Sequence, residues 1–174
     1  MIVVITGAMA AGKSTVAQLL AERLPRAAHV RGDVFRRMVV SGREEITPDA
    51  TAGALAQLWL RYQLAASVAD GYNRAGFTAV VQDVVLGPDL AHYVDLFATR
   101  PRYVVVLAPR PEVIARREAT RPETGYGDWT VESLDDLLRR ETPRIGLWLD
   151  NSDQAPEQTV DDILANLDQA RLPH

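Results

Sequence analysis

Residues 7–14 read Gly7-Ala8-Met9-Ala10-Ala11-Gly12-Lys13-Ser14, the spacing G-x-x-x-x-G-K-[ST]. Glycines at both ends let a backbone wrap around an anion. The loop amides and the N-terminus of a following helix then point at phosphate oxygens. Lys13 is the only lysine in a chain whose Lys and Arg together number 19. An ammonium is a compact point charge on a flexible stem, whereas a guanidinium is a planar fork, and a tight phosphate loop admits only the first. Lys13 is therefore expected to reach the β- and γ-phosphates, Ser14 to ligate Mg²⁺ and Thr15 to touch the α-phosphate. Gly7, Ala8, Ala10, Ala11 and Gly12 supply the rest of this nucleotide cradle. Guanine-specific proteins use an Asn-Lys-x-Asp motif. With the one lysine already in the loop, no such motif exists here, and ATP is the expected nucleotide, its base beside residues 151–156.

A second group of residues could serve an acceptor. Asp33 stands one helical turn before Arg36 and Arg37. Its carboxylate can take the proton of an attacking hydroxyl, and Arg36 can hold the substrate or the moving phosphoryl group. The plainer reading is an aspartate near a helix start, paired with an arginine a turn later. Asp83 ends an apolar run and is the expected second acidic group near Mg²⁺, through water; a turn aspartate is its plainer reading. Arg116, Arg117 and Arg121 precede the polar, glycine-containing stretch RPETGYGDW. A mobile lid over about residues 116–130 would bring Arg117 and Arg121 over the phosphates, while a solvated helix face would leave them idle. Trp59 and Tyr62 either wall the acceptor pocket or belong to the core.

These residues need a frame to converge. Short β-branched runs alternate with longer helical stretches. Strands are expected at Ile2 to Thr6, Ala28 to Arg31, Phe77 to Val85, Tyr103 to Leu107 and Ile145 to Leu149. Helices are expected at Lys13 to Leu24, Asp33 to Val40, Pro88 to Ala98, Pro111 to Thr120, Thr130 to Glu141 and Pro156 to Ala170. The long helix should start at Thr47-Pro48-Asp49, with a capping hydroxyl and proline at the first position, and run to about Tyr72 with Ala54, Leu55, Leu58, Tyr62, Ala65 and Val68 on one face. Five apolar strands separated by helices imply an α/β domain, its parallel sheet covered on both faces. Ligands in such folds sit at the carboxyl ends of strands, where the loop, Asp33 and Asp83 all fall.

Composition narrows the function further. The 174 residues suit one domain spanning 1–174. With no cysteine, disulfides, cysteine zinc sites and thiol nucleophiles are excluded. His29, His92 and His174 have no metal-ligand spacing. A net charge of −4 with dispersed arginines weighs against a polynucleotide partner. No apolar run approaches the length of a membrane span, and a cytoplasmic protein is expected.

With these motifs assembled, the chain resembles the P-loop kinases of the nucleotide- and shikimate-kinase type, and within them the chloramphenicol-phosphotransferase-like small-molecule kinases. The resemblance implies a five-stranded parallel sheet in the order 2-3-1-4-5, a small-molecule hydroxyl acceptor, Asp33 as general base with Arg36 as its substrate arginine, and Arg117 and Arg121 as lid arginines. Shikimate kinases carry Asp-x-Asp where this chain has Arg31-Gly32-Asp33, which argues against shikimate. Adenylate kinases have Gly-Thr after the loop lysine, where this chain has Ser14-Thr15. Ala155 replaces the usual Ser or Thr before the proline of the last helix. A nucleotide or polynucleotide 5′-kinase and a non-catalytic ATP-binding module remain the alternatives.

Overall fold

The computed structural model describes residues 1–120 and 126–173. Five parallel strands, β1 (Ile2–Gly7), β2 (Ala27–Arg31), β3 (Thr78–Gln82), β4 (Arg102–Leu107) and β5 (Leu147–Leu149), lie in the order β2-β3-β1-β4-β5. This is the expected order. All residues of β1 and β4 are buried, as follows when a sheet is covered on both faces and has no polar side to alternate toward.

Alternate residues of the central strands feed two cores. Val3, Ile5, Val105 and Leu107 pack with Val16 and Leu20 of α1 (Lys13–Arg23) and Val160 and Ile163 of α7 (Pro156–Ala165). Ile2, Val4, Val104 and Val106 face Tyr62, Ala65 and Ala69 of α3 (Ala52–Arg74) and Tyr93 of α4 (Asp89–Asp95). Buried alanines let α3 approach the sheet closely. The remaining helices are α2 (Gly32–Met38), α5 (Pro111–Ala119), α6 (Val131–Asp136), which runs on as a π-helical turn over Leu137–Glu141, and α8 (Leu167–Ala170). Among the described residues, no helix is long and apolar enough to cross a membrane.

Three expectations need correction. The long helix starts at Ala52, and its cap is Thr51, whose hydroxyl accepts from Ala54 N at 3.0 Å. The Thr47-Pro48 signal is bypassed: Thr51 Oγ1 caps Ala54 N and also donates to Glu44, seven residues back. Leu55 faces solvent, not the core. The closing helix breaks at Asn166, so that the chain after α8 can cover the open start of β4: Leu172 N donates to Arg102 O at 2.9 Å, and Arg171 bridges Tyr103.

Replacing Thr51 with alanine should therefore cost about 1 kcal/mol in urea unfolding, the usual value of a lost cap. Thr47→Ala should stay within about 0.5 kcal/mol. Equal losses would show that the cap has been misplaced.

Candidate functional site

The loop between β1 and α1 is bent by left-handed backbone at Ala10 (φ 62°) and Gly12 (φ 95°). Gly7 has φ 147°, and a Cβ there would lie 2.4 Å from Leu107 O, so only glycine lets the loop leave the sheet at this point. Donors outside the loop hold its carbonyls. Tyr126 OH donates to Met9 O at 2.9 Å, and Asn151 Nδ2 to Ala11 O at 3.0 Å. In a trans peptide, the N–H points opposite its C=O. The amides of Ala10 and Gly12 are thus turned away from these donors. Lys13 is buried, and its Nζ donates to Ala8 O at 2.7 Å. Ser14 Oγ donates to Gln82 Oε1 at 2.8 Å.

Asp83 follows Gln82 and is fully buried. Arg61 of α3 grips it bidentately, Nε donating to Oδ2 at 2.9 Å and Nη2 to Oδ1, which also accepts from Val84 N at 2.7 Å. Burial pushes the Asp83 carboxyl above the usual range, and the Arg61 charge, the hydrogen bonds and the more distant Lys13 pull it back only in part. Burial lowers Arg61, but the Asp83 carboxylate, helped by Asp33, more than offsets it. A Cβ on Gly32 would lie 1.8 Å from Asp83 Oδ2, so the start of α2 packs directly on this carboxylate.

One residue further, Asp33 Oδ2 accepts from Arg37 Nη2 at 2.6 Å. The other oxygen, Oδ1, is buried and makes no hydrogen bond among the described residues; Arg31 Nε stands 3.6 Å away. Arg36, expected beside Asp33, instead pairs with Glu45. Asp33 therefore pairs with the arginine four residues on, not the one three residues on.

Two pockets flank these groups. One, of ≈ 280 Å³, is lined by Gly12, Thr15, Arg117, Asn151, Gln154 and Pro156 among others. It lies where a base was expected. Arg117 sits on its rim, Nη1 to Ala11 O at 3.4 Å and Nη2 to Asn151 O at 3.1 Å. Burial, followed by the neighbouring Arg116, lowers its pKa. Asn151 Oδ1 is buried with no hydrogen-bond partner among the described residues. The other pocket, between α2 and α3, is bordered by Phe35, Arg36, Leu58, Arg61 and Leu64. Tyr62 is core, stacked edge-on against Tyr93, and Trp59 packs on Tyr62.

Arg121 lies outside the described residues, as does the rest of 121–125. The loop after it departs from the expectation that it buries little: Tyr126 is buried against the phosphate loop, and Trp129 Nε1 donates to Ile46 O at 3.1 Å. Gln82, Arg61 and Asn151 were not singled out from sequence. Arg61 did leave a signal, a charge on the helical stripe between Leu58 and Ala65. Among the described residues there is no cluster of three or more His, Cys, Asp or Glu side chains to hold a metal.

Comparison with known proteins agrees with this architecture. A family described as "AAA domain" matches residues 2–143. No curated protein matches the chain. Among solved structures, it is similar to an unliganded sugar kinase from Janibacter sp. HTCC2649, with 22% identity over 97% of this chain and 95% of that one and a TM-score of 0.73. A gluconokinase from Sinorhizobium meliloti 1021 is 20% identical over 95% and 90% of the two chains, with a TM-score of 0.65. An APS kinase from Mycobacterium tuberculosis, in complex with AMPPNP and APS, is 17% identical over 96% of each chain, with a TM-score of 0.69.

The Arg61–Asp83 pair generates a test with a defined pH dependence. Removing Arg61 strands a buried carboxylate, and Arg61→Leu should cost about 3–5 kcal/mol near pH 8. Burial raises the Asp83 carboxyl even with Arg61 in place, and without the guanidinium it rises further. The penalty is full where the variant's Asp83 is ionised and shrinks as pH falls and that carboxyl takes up a proton, which relieves the unpaired charge. Urea unfolding of both proteins over a descending pH series should show the difference narrowing; an unchanged difference would assign the loss to something other than Asp83.

Proposed function

The chain belongs to the AAA-domain family and has the fold of the P-loop kinases, and from that premise we propose that it is an ATP-dependent phosphotransferase acting on a hydroxyl of a small molecule. The observation that carries the proposal is the state of Asp33. One carboxylate oxygen is held by Arg37, and the other is buried without a hydrogen bond among the described residues, at the start of α2 beyond the end of β2, which β3 separates from the strand that leads into the phosphate loop. The named acceptors of the similar kinases (a sugar, gluconate, APS) are all small molecules, which supports a small acceptor over a polynucleotide.

In this reading, the loop from Gly7 to Thr15 holds the triphosphate, and Asn151 Oδ1 accepts from the exocyclic amine of adenine. The acceptor oxygen approaches the γ-phosphorus with its proton directed at the Asp33 carboxylate. The new O–P bond forms as the bond to the β,γ-bridging oxygen breaks. ADP leaves with that electron pair, and the acceptor proton passes to the Asp33 carboxylate. Lys13 exchanges Ala8 O for phosphate oxygens and balances charge that grows on the β,γ-bridge. Arg36, Arg117 and Arg121 are assigned to the substrate and the transferring group; Arg36 would have to exchange Glu45 for it. Ser14 is the side chain that would hold Mg²⁺, and Asp83, with both oxygens engaged by Arg61, would act on it only through water. When bound, the ion screens the negative phosphates against each other.

Three variants test this assignment. Asp33→Asn keeps the shape and removes the basic site. Acceptor-dependent ADP release should fall by roughly two to four orders of magnitude, nearer two if the transition state is loose. ATP affinity by calorimetry should barely change. Full turnover in Asp33→Asn would reduce Asp33 to a helix-start residue. Lys13→Ala, and equally Lys13→Arg, should abolish transfer with the fold intact; near-normal turnover in Lys13→Ala would sink the phosphotransferase reading itself.

A further inference from the structure

The phosphate loop holds one residue in a backbone conformation that its side chain opposes. Among the described residues, Ala10 is the only one other than glycine with a positive φ, at 62°. An L side chain in that region crowds the following carbonyl, and such a conformation persists only where the surroundings impose it. Ala11 N donates to Ala8 O at 3.2 Å and closes a four-residue turn over Ala8–Ala11. Positive φ at Ala10 and not at Met9 makes this a type II turn. Type II asks for glycine at its third residue, and alanine there favours type I. The two types share the closing hydrogen bond and differ by a flip of the central peptide, here Met9–Ala10, through roughly half a turn.

One side chain outside the loop holds that peptide. Tyr126 OH donates to Met9 O at 2.9 Å. Tyr126 is buried in the core that contains Ala8 and against which Met9 and Ala10 pack. Its own place is set by a second turn, with Trp129 N donating to Tyr126 O at 2.9 Å, and by Trp129 Nε1 on Ile46 O. In the trans Met9–Ala10 peptide, a carbonyl held toward Tyr126 sends the Ala10 N–H the other way. A flip would exchange the two and put a carbonyl oxygen where the amide had been. The other contacts of the turn do not choose between the two forms. Ala8 O accepts from Ala11 N in both, and Asn151 and Arg117 hold Ala11 O, beyond the central peptide.

We propose that Tyr126 is a positioning residue for nucleotide binding: its hydroxyl keeps the Met9–Ala10 peptide in the type II orientation, in which the Ala10 N–H is given to the phosphates of ATP. The inference rests on the phosphotransferase reading for its ligand. It makes Tyr126 and Ala10 an energetic pair. Glycine takes positive φ freely, so with glycine at position 10 the turn would keep its form without the hydroxyl.

Two measurements on the full chain test this. In the nucleotide-free protein, type II puts the Met9 Hα beside the Ala10 amide proton, whereas type I puts the two amide protons side by side, so nuclear Overhauser cross-peaks read the flip directly. Calorimetry with Mg²⁺ and ATP reads its consequence. Tyr126→Phe keeps the ring and removes the hydroxyl. It should gain the amide–amide cross-peak and weaken ATP binding about two- to tenfold, the scale of one net hydrogen bond. In an Ala10→Gly background, the same change should weaken ATP binding less than about twofold, because the competent form is then populated without the hydroxyl. A tyrosine that only supported the fold would cost the same in both backgrounds. Unchanged cross-peaks and ATP affinity in Tyr126→Phe, or an equal loss in both backgrounds, would overturn the inference and leave the phosphotransferase reading standing. A wild-type chain that binds no ATP would sink that reading and the inference together.

Discussion

The salt bridge between Arg61 and Asp83 is the constraint on which the site depends. A buried ion pair adds little to stability compared with an apolar replacement. What this one provides is position. It ties the middle of α3 to the end of β3, and the Asp83 carboxylate fills the space where a side chain at residue 32 would go. The start of α2 is therefore fixed against β3, and Asp33 with it. The charges of Lys13 and Asp33 both act on this pair, from the start of α1 and the start of α2. Three strand ends are thus referenced to one guanidinium and one carboxylate. The same pairing cancels the charge that Arg61 would otherwise show to the pocket between α2 and α3.

The sheet and the phosphate loop were legible in the sequence for physical reasons. Strands buried on both faces have no polar side, so Ile2–Ile5 of β1 and Tyr103–Leu107 of β4 read as unbroken apolar runs, and the loop is defined by spacing alone. Where reading failed, a side-chain contact that the local pattern does not show made the decision. Thr47-Pro48 and Thr51 are both acceptable helix starts locally, and Glu44 selects the second. Gln82 and Asp83 are adjacent at the end of β3, and neighbouring residues of a strand point to opposite sides. The sequence marks both as polar and cannot say which one meets Ser14. The register of β3 beside β1, Ile5 opposite Gln82, puts Gln82 there and turns Asp83 to Arg61. Tyr126 was hidden in a different way. A stretch rich in glycine and polar residues reads as loop, and the average conceals the one aromatic that anchors on Met9 O.

The lone lysine among arginines gains a structural meaning beside its neighbours. Where this protein uses a guanidinium, it often uses the fork. Arg61 holds both oxygens of Asp83, Arg110 both oxygens of Asp153 at 3.0 and 2.9 Å, and Arg117 spans two backbone carbonyls from opposite sides of a pocket. Each of these arrangements is set by a plane and two bonds, and each fixes one element against another. The donors of Lys13 radiate from a single atom that holds Ala8 O at 2.7 Å. Such a group can trade a carbonyl for a phosphate oxygen by rotating its stem, with no matching pair of acceptors to find. The difference follows from geometry: a fork is set by a plane and a matched pair of acceptors, whereas the Lys13 ammonium reaches Ala8 O through one atom on a rotatable stem.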